Sequence, residues 1–168
     1  MAGLSRIEKL YEEGDRRQFH VPCPQCGEKQ VLEWGEKGTP YGIKWDKDEN
    51  GKPLPETAYY VCRQNGCIIT EADKPDMVAA GEWIASKPFK GHASFHIWSG
   101  YSLSPNTTWA KLVEEWLEVY RDPLRQQTFI NTTLGLPFED KGDGALNELT
   151  LVARVENWEG GPVLLASG

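Results

Sequence analysis

Four cysteines fall into two pairs, Cys23/Cys26 and Cys62/Cys67. The thiolate is a strong nucleophile and a soft metal ligand, so spacing decides which chemistry is open to it. In Val21-Pro22-Cys23-Pro24-Gln25-Cys26-Gly27 the thiols lie two residues apart. The glycine that follows relieves crowding where backbone amides turn toward sulfur. In Cys62-Arg63-Gln64-Asn65-Gly66-Cys67 four residues intervene, within the range of structural zinc sites, and Asn65-Gly66 is a strong turn signal. Two such knuckles predict a four-cysteine ribbon holding one tetrahedral Zn2+ on Cys23, Cys26, Cys62 and Cys67. Free buried cysteines would not fall into two pairs of this kind. A redox pair at Cys23/Cys26 needs a strand-to-helix context, and the residues after Cys26 read as strand. His20 precedes Cys23 by three residues and is a possible substitute ligand, but four cysteines already fill the site.

Other chemistry-bearing patterns are missing. No G-x-x-x-x-G-K-[ST] loop occurs, since the Gly51-Lys52 pair is followed by Pro53. There is no G-x-S-x-G elbow and no H-E-x-x-H. His92 and His96 lie four apart on a stretch that reads as strand, where they share a face without converging on a metal as they would on a helix. No catalytic residue is assigned.

Composition sets the wider bounds. The 168 residues are 39% apolar and 26% charged, the mix of a globular chain with one sizeable core or two small ones. Mean hydropathy is -0.54, and no apolar run approaches the ~18 residues of a membrane helix. The first six residues lack the hydrophobic core of a signal peptide, which points to a reducing compartment and thiols rather than disulfides. A net charge of -7 argues against a surface coated in basic groups, though a local basic stripe stays open. Arg16, Arg17, Lys29, Lys37, Lys44 and Lys47 surround the expected ribbon, with Trp34, Tyr41 and Trp45 interleaved. That combination suits phosphates and unstacked bases; alternatively the rings pack the ribbon and the lysines keep the loop soluble.

The elements that would position the cysteines follow from periodicity and punctuation. Leu4, Ile7, Leu10 and Tyr11 share a helical face and predict a helix over 4–13, ended by Gly14. Strands are predicted at Gln18 to Pro22, Gln30 to Trp34, Thr57 to Cys62 and Ala93 to Trp98. Residues 35–57 read as an exposed loop or weak hairpin turning at Asp48-Glu49-Asn50-Gly51. Asp73 is a candidate cap for a short helix. The clearest helix covers 108–121, where Trp109, Leu112, Val113, Trp116, Leu117 and Tyr120 recur at helical steps behind Thr107 as N-cap. A second helix starts at Asp122-Pro123 and stops before Gly135. Residues 139–160 are acidic and Gly-rich, and Pro162 to Leu165 begins an apolar strand that looks cut. The expected fold class is α+β: a small antiparallel zinc-ribbon-like module (18–86) behind a helix (1–17), then a strand plus two-helix segment (87–138), then an acidic linker into a truncated strand (139–168).

Several runs carry a resemblance. Ser5-Arg6-Ile7-Glu8 with Tyr11, Glu13-Gly14-Asp15-Arg16-Arg17, Val21 to Gly27 and Gln30-Val31-Leu32 resemble the middle of phage lambda-type terminase large subunits. So do Tyr60-Val61-Cys62, Gly81-Glu82-Trp83, His96 to Ser102, Trp109-Ala110-Lys111-Leu112 and Phe129 to Pro137. Two departures are local: the second knuckle has four residues where the family has two, and Ser99-Gly100-Tyr101 is looser than the family's run. The resemblance implies a parent that packages double-stranded viral DNA in the bacterial host cytoplasm, with an ATPase using ATP and a nuclease using Mg2+. It implies the terminase small subunit and the portal as partners, and no membrane. It places this chain between the two catalytic domains, without the phosphate loop or the nuclease carboxylates, so no catalytic residue carries over. The alternative function is a stand-alone zinc-ribbon adaptor for nucleic acid or protein.

Overall fold

In the computed structural model, residues 6–35 and 38–137 are described. The chain runs through α1 (Arg6–Glu13), β1 (Arg17–Pro22), β2 (Lys29–Val31), β3 (Gly42–Lys47), β4 (Pro53–Val61) and β5 (Ile68–Ile69). It continues through a 3-10 turn (Glu71–Asp73), α2 (Lys74–Ala79), β6 (Glu82–Ala85), β7 (Phe95–His96), a second 3-10 turn (Ser99–Tyr101), α3 (Trp109–Val119) and α4 (Pro123–Thr132). This is an α+β arrangement with mainly antiparallel sheets. The acidic segment and apolar strand expected over 139–168 lie outside the described residues.

Two small sheets carry the knuckles. In the first, β1 is flanked by antiparallel β2 and β6. His20 pairs with both Val31 and Glu82, so β2 and β6 occupy opposite edges of β1. The short parallel strand β7 pairs with Arg17 and Gln18. The second sheet is β3-β4-β5, antiparallel throughout. Residues 42–61 thus form an ordered hairpin rather than a bare loop. Its turn falls at the expected place: the Asp48 carboxylate accepts the Asn50 and Lys52 amides, each at 2.8 Å. Gly51 supplies the positive φ of 78° that closes the turn.

One hydrophobic core runs through both sheets and the helices, from Val21, Leu32, Ile43 and Tyr60 to Trp98, Trp109, Leu112 and Phe129. Trp34 is the hub of an aromatic cluster, its ring 5.4 Å from Phe129, 6.0 Å from Trp116, 6.2 Å from Trp45 and 6.4 Å from Trp98. Such edge and tilted contacts are the favoured aromatic geometries. Packing therefore accounts for Trp34 and Trp45, while Tyr41 lies under the Arg63 guanidinium at 5.0 Å.

Two strands are shorter than periodicity predicts, for the same reason. β2 stops at Val31 because the next backbone groups are taken by side chains. The Leu32 amide donates to Tyr101 Oη at 2.8 Å, Trp98 Nε1 donates to the Leu32 carbonyl at 2.7 Å, and the Glu33 amide donates to Tyr60 Oη at 3.2 Å. Burial pushes both tyrosine hydroxyls well above their ordinary pKa and keeps them neutral, so each also donates, Tyr101 to the Phe19 carbonyl at 2.5 Å and Tyr60 to the Val31 carbonyl at 3.4 Å. β7 starts only at Phe95 because the Ser94 amide and hydroxyl are engaged elsewhere. The amide donates to the Asp15 carboxylate and the hydroxyl accepts the Arg16 amide, while the Ser94 carbonyl accepts the Arg17 amide as the first rung onto β1. His92 consequently lies in a loop, and His96 Nε2 pairs with the Gly135 carbonyl at 3.0 Å.

One helix cap also moves by a residue. The α3 N-cap is Thr108, whose hydroxyl accepts the Lys111 amide, not Thr107. Asp73 stands at the N-cap of α2 as expected but makes no side-chain cap bond; its carboxylate instead reaches back to the Thr70 amide and hydroxyl and closes the turn before the helix. Asp122 caps α4 as expected, with Pro123 at the first helical position.

Candidate metal centre

Each knuckle is a turn of backbone wrapped around sulfur. In the first, the Cys23 amide donates to Glu28 and the Gly27 amide to Cys23, at 2.9 and 2.8 Å. In the second, Cys62 donates to Cys67 and Gly66 to Cys62, both at 2.9 Å. The two turns are the same motif and the same length; the second cysteine comes three residues after the first in one and five in the other. Gly27 and Gly66 take φ of 75° and 66°, the left-handed conformation that lets each loop double back. β1 and β2 carry the first turn, and β4 and β5 carry the second.

The structure brings all four cysteines together. Their Sγ atoms lie within 4.8 Å of one another, with Cys26 and Cys62 3.9 Å apart. A tetrahedral ion with Zn–S bonds of about 2.3 Å requires sulfurs about 3.8 Å apart, so the constellation needs only a small contraction. Cys23 and Cys62 are buried and Cys26 and Cys67 half-buried, and none is in a disulfide. The donor set therefore fits one soft, tetrahedral ion. His20 stands apart: its Nδ1 pairs with the Gln18 carbonyl at 3.1 Å.

The thiols are electrostatically unequal. Burial pushes Cys23 up to about 12, against the Cys26 and Gln25 amides that donate to its sulfur. Cys26 is drawn down to about 7, first by the Asn65 side chain and then by the Glu28 amide. Burial also raises Cys67. Amides aimed at sulfur favour the thiolate, the form a metal ion requires.

Three residues at this centre were not singled out from the sequence. Asn65 was read only as a turn residue, yet its side chain also reaches the Cys26 sulfur of the other knuckle. Gln25 donates to the Ile68 carbonyl, and Gln30 accepts the Arg63 amide at 3.0 Å. The two glutamines stitch one knuckle to the other. A glutamine beside a knuckle has no periodic signal, so nothing in the spacing marks it.

Comparison with known proteins gives the family. The description "Phage terminase large subunit gpA, ATPase domain" matches residues 1–83, and "Terminase large subunit gpA, endonuclease domain" matches residues 92–164. The chain is 34% identical to the terminase large subunit of Enterobacteria phage P21 over 91% of its length, and 36% identical to that of Escherichia phage lambda over 83%. The chain belongs to the lambda-type terminase large-subunit family. It spans about a quarter of those relatives, 26% and 23% of their lengths. No solved structure matches it significantly.

All four cysteines lie within the match to the terminase ATPase domain, and α3 and α4 lie within the match to the endonuclease domain. Residues from both matches share one core: Tyr60 packs on Trp109 at 5.8 Å, and Trp34 on Phe129 at 5.4 Å. Among the described residues no helix is long and apolar enough to cross a membrane.

Proposed function

We propose that this chain is a zinc-stapled connector of a terminase large subunit, joining the part that belongs with the ATPase to the part that belongs with the endonuclease. The observation that carries the reading is the convergence of four sulfurs from two distant knuckles within 4.8 Å. Zn2+ on Cys23, Cys26, Cys62 and Cys67 would fasten β1-β2 to β4-β5, and the shared core would transmit that order to α3 and α4. Structural zinc supplies on the order of 10 kcal/mol of folding free energy in small domains. The metal is structural in this reading, since four protein sulfurs leave no open position for water or substrate.

The larger protein would use ATP and Mg2+, in regions other than this chain's described residues, to package and cut double-stranded viral DNA. It would work with a small subunit and a portal in the host cytoplasm. This chain has no catalytic centre of its own in that scheme. The two family matches on either side of residues 84–91 favour the connector over a stand-alone zinc-ribbon adaptor.

Elemental analysis of the purified, reduced chain tests the reading. We expect one zinc per chain and its loss in Cys62→Ala. A folded chain without stoichiometric metal would overturn the zinc staple. In the same preparation, neither ATP hydrolysis nor Mg2+-dependent cleavage of DNA is expected. Cleavage abolished by a point substitution in this chain would show that it holds a catalytic centre after all.

A further inference from the structure

Residues 83–113 contain no aspartate or glutamate in a chain that carries 25 of them. The start of this stretch is fully on the surface. Trp83, Phe89 and Phe95 are exposed by 38%, 61% and 52%, and Trp83 also packs on Phe19 at 5.2 Å; a contiguous exposed apolar patch marks an interaction site. The three rings form one continuous ladder. Trp83 meets Phe95 edge-on at 5.0 Å, and the Arg17 guanidinium sits over Phe95 at 5.3 Å and over Phe89 at 6.0 Å. Arg17 is itself fixed, its Nε donating to the buried Asp15 carboxylate at 2.8 Å. Because Asp15 offsets its charge, Arg17 acts here chiefly as a flat plate between rings. Positive charge comes from Lys87, whose Nζ donates to the Glu12 carbonyl at 3.3 Å, and from Lys90; the two flank Phe89 on the exposed loop.

We propose that this Trp83–Phe95–Arg17–Phe89 ladder, with Lys87 and Lys90, is a binding site for single-stranded nucleic acid. Exposed rings and a planar guanidinium offer faces on which unstacked bases lie, and an acid-free basic loop complements the phosphates. A duplex keeps its bases stacked and could use only the lysines. Binding is independent of base identity, since every base has a stacking face. The site is distinct from the cysteine centre, so metal content reports on the connector reading separately.

The test is fluorescence anisotropy of a labelled mixed-sequence single strand, titrated with the zinc-loaded 168-residue chain, with a duplex of the same sequence in parallel. We expect saturable binding at about 50 mM salt and quenching of tryptophan emission. The single strand should bind at least about tenfold more tightly than the duplex. Phe89→Ala should weaken binding about tenfold. Lys87→Ala with Lys90→Ala should lower the dependence of log K on log salt by about 1.4, the counterion release that goes with neutralising two single-strand phosphates. Both changes lie on an exposed loop, and circular dichroism checks that the variants keep the fold. Absence of binding at low salt would overturn the proposal, as would binding unchanged in both variants. Equal affinity for duplex with no effect of Phe89→Ala would assign the contact to phosphates alone and overturn the stacking site. Shielding of Trp83 from acrylamide in a longer large-subunit polypeptide without DNA would assign the ladder to protein packing instead.

Discussion

Asp15 shows how one carboxylate can organise a turn. It is buried, accepts the Ser94 amide at 3.1 Å and the Arg17 Nε at 2.8 Å, and follows the glycine that ends α1. A side chain on Gly14 would overlap the Ser94 hydroxyl, which explains the glycine. Burial alone pushes the Asp15 carboxyl up, but Arg17 and the Ser94 amide outweigh it and hold the group below its ordinary value of 3.8. A carboxyl whose folded value is lowered stabilises the fold above its unfolded value. That contribution is lost as pH falls below about 4 and through the lower folded value. Asp15→Asn should therefore remove part of the acid-induced loss of stability between neutral pH and the acid limb. Urea midpoints measured across pH 3 to 7 check this, and an unchanged acid limb would count against it.

At the scale of elements, the junction between the second sheet and α3 is the place to test packing. Trp109 is fully buried, stacks on Tyr60, donates its Nε1 to the Gly100 carbonyl at 2.9 Å and receives the Lys74 ammonium 5.2 Å above its ring. Lys74 is buried too, and its charge is met by Glu71 at 2.5 Å. The other carboxylate oxygen of Glu71 accepts the Trp109 amide at 2.9 Å. Trp109→Ala should cost about 3–5 kcal/mol by leaving a cavity and removing the donor to the Gly100 carbonyl. Thr108→Ala, which removes only the cap, should cost about 1 kcal/mol. Chemical denaturation separates the two, and equal costs would show that the ring does not anchor the helix.

At the scale of the whole molecule, the shared core determines how the chain would respond to losing the proposed staple. Trp34 follows the first knuckle and packs on Phe129 of α4 and Trp116 of α3. Chelation should therefore unfold the helices along with residues 18–86, in one transition. Far-ultraviolet circular dichroism, which follows helix, and tryptophan emission, which follows the cluster, should move together as a strong chelator is added. Helix signal that survives complete removal of zinc would show that α3 and α4 form an independent unit.

What the sequence determined by itself was local. The cysteine pairs, Gly27 and Gly66 specify two cysteine knuckles, because thiol spacing and left-handed glycine are properties of a few adjacent residues. The Asp48–Gly51 turn, the Asp122-Pro123 helix start and the apolar stripe of α3 were legible for the same reason. The terminase resemblance was legible because it rests on ordered runs of residue types. What only the tertiary structure decided was which distant groups claim each backbone amide and each ring. Strand β2 ends early because Tyr101, Trp98 and Tyr60, all remote in sequence, take the hydrogen bonds a longer strand would have made. Trp34 and Trp45 look like base-stacking residues in the sequence, but the cluster buries much of their surface. Trp83, Phe89 and Phe95 carried no such signal, and the sheet leaves them in the open. Periodicity reports the face a residue takes within its own element, whereas exposure depends on what other elements bring to that face.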